Sequence, residues 1–231
     1  MNEWRLDEGA HAGTEHLDPT YVAGYDDKAG GSAADELARL REIGLDRSNT
    51  FLDLGAGTGL VALAASQICK RVIAVDVSLP MLDHIRGEVA RRGLTNVECV
   101  QGGFLTYEQG GEPVDVVHSR NALHHLPDFW KGIALSRIAA MMEPGGIFYL
   151  RDLVYSFDPD EAQPVIEAWL ARAPNRPEEG WSAPELATHV REEYSTYTWL
   201  LEPLLRRAGF EIQDAEYSES RTFAAYVCIK R

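Results

Sequence analysis

The segment Phe51-Leu52-Asp53-Leu54-Gly55-Ala56-Gly57-Thr58-Gly59 limits what this chain can fold into more than any other. A short apolar run of strand type passes directly into three alternating glycines, and Leu60 to Ile68 then reads as a helix. Strand, tight glycine turn and helix in that order open a parallel sheet covered by helices. With no Cβ in the turn, a ligand can approach the backbone beside the positive end of a helix. The spacing is G-x-G-x-G. A dinucleotide fingerprint needs a glycine at position 60, where this chain has Leu60, so a nicotinamide oxidoreductase is disfavoured.

The alternation of strand-like and helix-like segments continues from about residue 32 to residue 152. Ala34 to Ile43 is a helix closed by Gly44, Thr50 to Leu54 a first strand, and Arg71 to Val75 a second that ends at Asp76. Ser78 and Pro80 open the next helix. Val97 to Gln101 and Val114 to His118 are short buried-strand runs. Asp128 is expected to cap the helix carrying Trp130, Ile133, Ala134, Ile138 and Met141, with Pro144-Gly145-Gly146 as its stop and Ile147 to Leu150 as a fifth strand. A helix near Trp199 to Ala208 and strands near Phe210 to Asp214 and Phe223 to Ile229 complete the pattern. Between Leu153 and Tyr197 the pattern is helical without strands, with capping-box spacing at Asp158/Glu161 and Ser182/Glu185. The fold expected is a doubly wound, Rossmann-like α/β sheet with an inserted helical cap. The division expected is a covering segment at 1–30, a core at 31–152 plus 198–231, and the cap at 153–197.

Charge narrows the partners. The 231 residues include 36 Asp and Glu against 22 Lys and Arg, a net charge of −14, which repels a phosphate backbone. The acidity is uneven: residues 1–30 carry 7 acids and 2 bases and residues 153–197 carry 9 and 3, while the core is nearly balanced. An acidic cover favours neutral or cationic acceptors over anionic ones. Cys69, Cys99 and Cys228 form neither a disulfide framework nor a zinc knuckle, and His11, His16, His84 and His189 are too scattered to suggest a metal. The first residues lack the basic end and apolar run of a signal peptide, and no later stretch has 18 uninterrupted apolar residues. A soluble, cytoplasmic protein with neither nucleic-acid nor membrane partners is expected; a homodimer stays open.

Asp76 stands 17 residues after Gly59, at the end of the second strand. A carboxylate there, beyond the strand ends, suits two adjacent ribose hydroxyls. With Asp53 to Gly59, Asp76, the run His118-Ser119-Arg120-Asn121-Ala122-Leu123-His124-His125-Leu126, Pro144-Gly145-Gly146 and Ala208-Gly209-Phe210, the chain from about residue 20 onward resembles the class I S-adenosylmethionine-dependent methyltransferases, in particular the bacterial small-molecule enzymes of the ubiquinone-biosynthesis type. The resemblance implies a seven-stranded sheet with its last strand antiparallel and S-adenosylmethionine lying across the strand ends. It implies a cofactor site of Asp53, Gly55, Ala56, Gly57, Gly59 and Asp76, with Val77 and Met81 against adenine, Asn121 near the reactive end and Tyr25 closing over the ligand. Many relatives carry Asp after the third strand to receive the adenine amino group. This chain has Gly103 there, followed by Phe104, so adenine recognition is left to Phe104 and backbone groups.

Methyl transfer is an in-line displacement that gains most from placing the acceptor and excluding water, and it needs a base only where the acceptor loses a proton. His124 and His125 are equal candidates for that base. Arg151 and Asp152 read as a strand-end ion pair, Tyr194 and Tyr197 as residues of an amphipathic helix, and Trp130, Trp169 and Trp199 as packing. The alternative is a protein that binds S-adenosylmethionine or S-adenosylhomocysteine without transferring a methyl group.

Overall fold

The structure is a computed structural model describing residues 4–13, 22, 25, 33–176 and 180–231. In chain order its elements are α1 (Glu8–His11), α2 (Ala33–Glu42), β1 (Thr50–Leu54), α3 (Leu60–Ala65), β2 (Arg71–Asp76), α4 (Leu79–Arg92), β3 (Val97–Gln101), β4 (Val114–Arg120), α5 (Asp128–Ala140), β5 (Met142–Asp152), β6 (Val154–Tyr155), α6 (Ala162–Leu170), α7 (Ala183–Glu192), β7 (Thr196–Tyr197), α8 (Thr198–Arg207), β8 (Phe210–Tyr217) and β9 (Ala224–Lys230). Seven of the strands form one sheet in the order β3-β2-β1-β4-β5-β9-β8. Pairing is parallel from β3 across to β5, and β9 runs antiparallel to both β5 and β8. This is the Rossmann-like sheet expected, last strand included.

β1 and β2 are buried almost throughout because helices cover both faces of the sheet. Leu52, Leu54, Ile73, Val75, Val117 and Phe148 pack on one face with Ile138 of α5 and Leu205 of α8. Phe51, Val72, Ala74 and Val116 pack on the other with Leu40 of α2, Val61 of α3 and Ile85 of α4. Each such Val, Leu, Ile or Phe side chain stabilises the fold by about 1.5–3 kcal/mol relative to exposure. Strand order reverses between β1 and β4, and their carboxyl ends open the crevice where ligands bind in such sheets.

Several local expectations are corrected. The segment between β5 and α8 does contain strands: Val154 and Tyr155 pair in parallel with Thr196 and Tyr197, tying both ends of the helical insertion together. Two-residue strands have no periodicity to read. Pro127, not Asp128, is the N-cap of α5; Asp128 instead accepts from Lys131 Nζ at 2.9 Å and from the Thr196 hydroxyl at 3.1 Å. β5 begins at Met142, before the Pro-Gly-Gly stop. Arg151 pairs with Glu36 at 3.0 Å rather than with Asp152. Tyr194 follows α7 and is exposed, and Tyr197 lies on β7 with the exposed Trp199 stacked on it. The expected cover at 1–30 is described only at 4–13, 22 and 25, and His16 lies outside the described residues. Among the described residues no helix is long and apolar enough to cross a membrane.

Candidate functional site

The glycine turn leaves β1 and folds back over the tip of β2. Gly55 and Ala56 donate their N–H groups to the Val75 carbonyl at 2.9 and 3.0 Å. The Asp76 carboxylate fastens both sides of the crevice, accepting from Gly57 N–H through Oδ2 and from Ser78 N–H through Oδ1, each at 2.8 Å. Burial pushes the Asp76 carboxyl up to about 6, and those two N–H groups pull the other way. Gly55 sits at φ +74°, where a Cβ would stand 2.4 Å from that of Ala122. Gly57, at φ +55°, lines the crevice with nothing within 4 Å of a Cβ position.

Of the residues expected at the cofactor, Tyr25, Gly55, Gly57, Asp76, Val77 and Met81 line this cleft, as do Gly103, Phe104 and Asn121. Asp53, Ala56 and Gly59 do not. Asp53 is buried under the turn with its Oδ1 2.7 Å from His118 Nδ1, so it serves the sheet. Ala56 packs on the second core cluster. A Cβ at Gly59 would come within 2.8 Å of Ile85, so that glycine lets α3 approach α4. Asn121 adopts φ +50°, and its buried Oδ1 has no hydrogen-bond partner among the described residues.

The sequence reading did not find Glu8. Asp7 caps α1 by accepting from Gly9 N–H at 3.0 Å, Trp4 stacks on Trp130 at 5.6 Å, and Leu6 packs on the core. Trp4 thereby rests on α5, and Glu8 reaches the loop after β3. Glu8 is 7% exposed and lines the cleft. Its Oε2 accepts from Leu105 N–H at 2.9 Å and from the Thr106 hydroxyl at 3.0 Å. Burial raises its pKa despite these donors and the charge of Arg137.

A second cavity, of about 460 Å³, adjoins the cleft; Tyr25, Asn121 and His125 line both. The insertion supplies much of its remaining wall through Trp181, Glu185, His189 and Glu193. The two histidines now separate. His124 is 5% exposed, with Nδ1 2.5 Å from Asp152 Oδ1 and Nε2 3.0 Å from Glu193 Oε2. Burial alone would lower its pKa, but the two carboxylates outweigh burial and push it up to about 9. Glu193 is also ion-paired to His189, and the two histidines hold its carboxyl well below the usual range against the effect of burial. His189, remote in sequence, is thus drawn into the cluster. Ligand atoms of His124, His125 and Glu193 lie within 4.8 Å of one another. Both nitrogens of His124 are already turned to carboxylates.

Comparison with known proteins agrees with this architecture. Residues 51–146 match the family described as a methyltransferase domain. An uncharacterised methyltransferase of Geobacillus kaustophilus is 27% identical over 195 residues, 84% of each chain. Among solved structures, the phosphoethanolamine N-methyltransferase 2 of Haemonchus contortus superposes with a TM-score of 0.70 at 17% identity, over 98% of this chain and 60% of that one. The [4+2]-cyclase SpnF superposes with a TM-score of 0.69 at 17% identity, over 94% and 93%. With the methyltransferase-domain match at 51–146 seated in the seven-stranded sheet, the chain is similar to the class I S-adenosylmethionine-dependent methyltransferases in sequence and in fold.

Proposed function

We propose that this protein transfers the methyl group of S-adenosylmethionine to a small-molecule acceptor, neutral or cationic, held in the second cavity. The observation that carries this reading is the junction of the two spaces at Tyr25, Asn121 and His125, where donor and acceptor would meet. The cleft suits the donor. Gly55 and Gly57 offer bare backbone to its methionine part, Asp76 stands at the strand end for the ribose, Val77, Met81 and Phe104 form an apolar slot for adenine, and Asn121 Oδ1 is an unused acceptor near the junction. When bound, the sulfonium supplies an electrophilic methyl carbon. The chain's own task is to hold the acceptor in line, exclude water and, where needed, take its proton.

His125 suits the proton-accepting role better than His124. It faces both spaces, whereas His124 is a cation with both nitrogens committed to Asp152 and Glu193. Glu185, with the rings of Trp181 and Phe223, gives the acceptor cavity a character that suits an amine or another cation. A structural neighbour named as an N-methyltransferase is in keeping with that. In this reading 31–152 and 198–231 form the binding core, and 1–30 and 153–197 cover it.

The test is incubation with isotopically methyl-labelled S-adenosylmethionine and a panel of small amines, phenols and hydroxy acids, read by mass spectrometry. A labelled amine or phenol is the expected result. His125→Ala should lower its formation by about 10²-fold or more while leaving S-adenosylhomocysteine affinity within about twofold. Binding of S-adenosylhomocysteine with no acceptor methylated would favour the cofactor-binding alternative.

A further inference from the structure

We infer that Glu8 is the side chain that recognises the adenine amino group, reaching the cofactor cleft from the N-terminal segment rather than from the loop after β3. This rests on the reading of the cleft as the S-adenosylmethionine site. Of the described residues lining the cleft, two are acidic: Asp76, at the tip of β2, and Glu8, beside the slot of Val77, Met81 and Phe104. A purine slid into an apolar slot carries its exocyclic amino group with it. Burying that donor unpaired is costly, so an acceptor at the slot's edge decides whether adenine binds better than a purine without the amino group.

Glu8 and Gly103 are sterically matched. A Cβ on Gly103 would lie 2.5 Å from Glu8 Oε1, 2.7 Å from its Cδ and 2.8 Å from a Val77 methyl. The carboxylate therefore occupies the space that a side chain at 103 would take, and the glycine is what admits it. The group is also built in rather than draped over the surface. Oε2 is held by Leu105 N–H and the Thr106 hydroxyl, Phe104 N–H gives the carboxylate a third donor, and Oε1 lies on the Gly103 side. Among the described residues Glu8 has no direct ion pair and Arg137 acts on it only at longer range, so a ligand donor would meet a buried carboxylate without a counter-charge in contact. A merely structural Glu8 would tie the N-terminal segment to the loop at 103–106 and be indifferent to the base.

Calorimetric titration of the full chain with S-adenosylhomocysteine, and with its analogue bearing hydrogen in place of the 6-amino group, separates the two roles. The wild type should prefer the amino compound by about tenfold or more, since a site built around a donor rejects the ligand that lacks it. Glu8→Ala should bind both ligands equally, within about twofold, and Glu8→Ala/Gly103→Asp, which moves the carboxylate onto the loop, should restore a preference of about fivefold. Glu8→Gln, similar in shape but uncharged, serves if the alanine variant does not fold; its preference should fall at least about threefold. A preference that persists unchanged in these Glu8 variants, or a wild type that binds both ligands equally, overturns the assignment. A wild type that binds neither ligand overturns the cofactor reading itself, and Glu8 with it.

Discussion

Raising the pH should unfasten the buried His124 and destabilise the whole domain, because this ring is held as a cation between Asp152 and Glu193. Its pKa of about 9 in the folded protein stands against 6.5 for an ordinary histidine. A histidine raised in this way contributes its full stabilisation below about pH 6.5 and loses it as the pH climbs through about 9. At about 1.36 kcal/mol per unit the difference corresponds to about 3 kcal/mol. The ring is 5% exposed, so solvent screening takes little from this figure. The lowered pKa of Asp152 reports the same interaction from its other end and is not added. For a urea slope of about 2–3 kcal/mol/M, the unfolding midpoint should fall by about 1 M across that range. The thiols of Cys69 and Cys228, pushed up to about 12 by burial, ionise above it. His124→Gln should cost about 3–5 kcal/mol at neutral pH, since Asp152 stays buried without its counter-charge, and should flatten the pH dependence. Equal dependence in wild type and variant, or a flat wild-type profile, would refute the charged ring.

Four other substitutions probe the crevice and the core. Asp76→Ala should weaken S-adenosylhomocysteine binding at least tenfold, about 1.4 kcal/mol, by calorimetry; unchanged affinity removes Asp76 from the ribose. Gly55→Ala should lower the melting temperature by several degrees, because its Cβ cannot stand 2.4 Å from Ala122. Gly57→Ala meets nothing within 4 Å and should cost only the backbone strain of its φ of +55°, about 1–2 kcal/mol, so a Gly57 variant more destabilised than the Gly55 one contradicts the geometry. Leu52→Ala, in the middle of the sheet, should cost about 2–5 kcal/mol in chemical unfolding.

The sequence by itself determined the sheet and its binding edge. Apolar runs set the strands, the glycine spacing set the turn, and Asp76 marked the strand end, because each is a local pattern that the backbone obeys locally. Glycine spacing did not separate roles: Gly55 and Gly57 line the cleft, while Gly59 serves the packing of α3 on α4. Three further things were decided only by tertiary structure. Two adjacent histidines that are equal in sequence acquire different chemistry because Asp152 and Glu193, 28 and 69 positions away, close on one of them. His189, scattered along the chain, joins that cluster once β6 and β7 tie the insertion to the sheet. Gly103 reads as a missing carboxylate until Glu8 arrives from 95 positions upstream. Such pairings follow from where the chain returns in space, and a motif confined to one segment carries no trace of them.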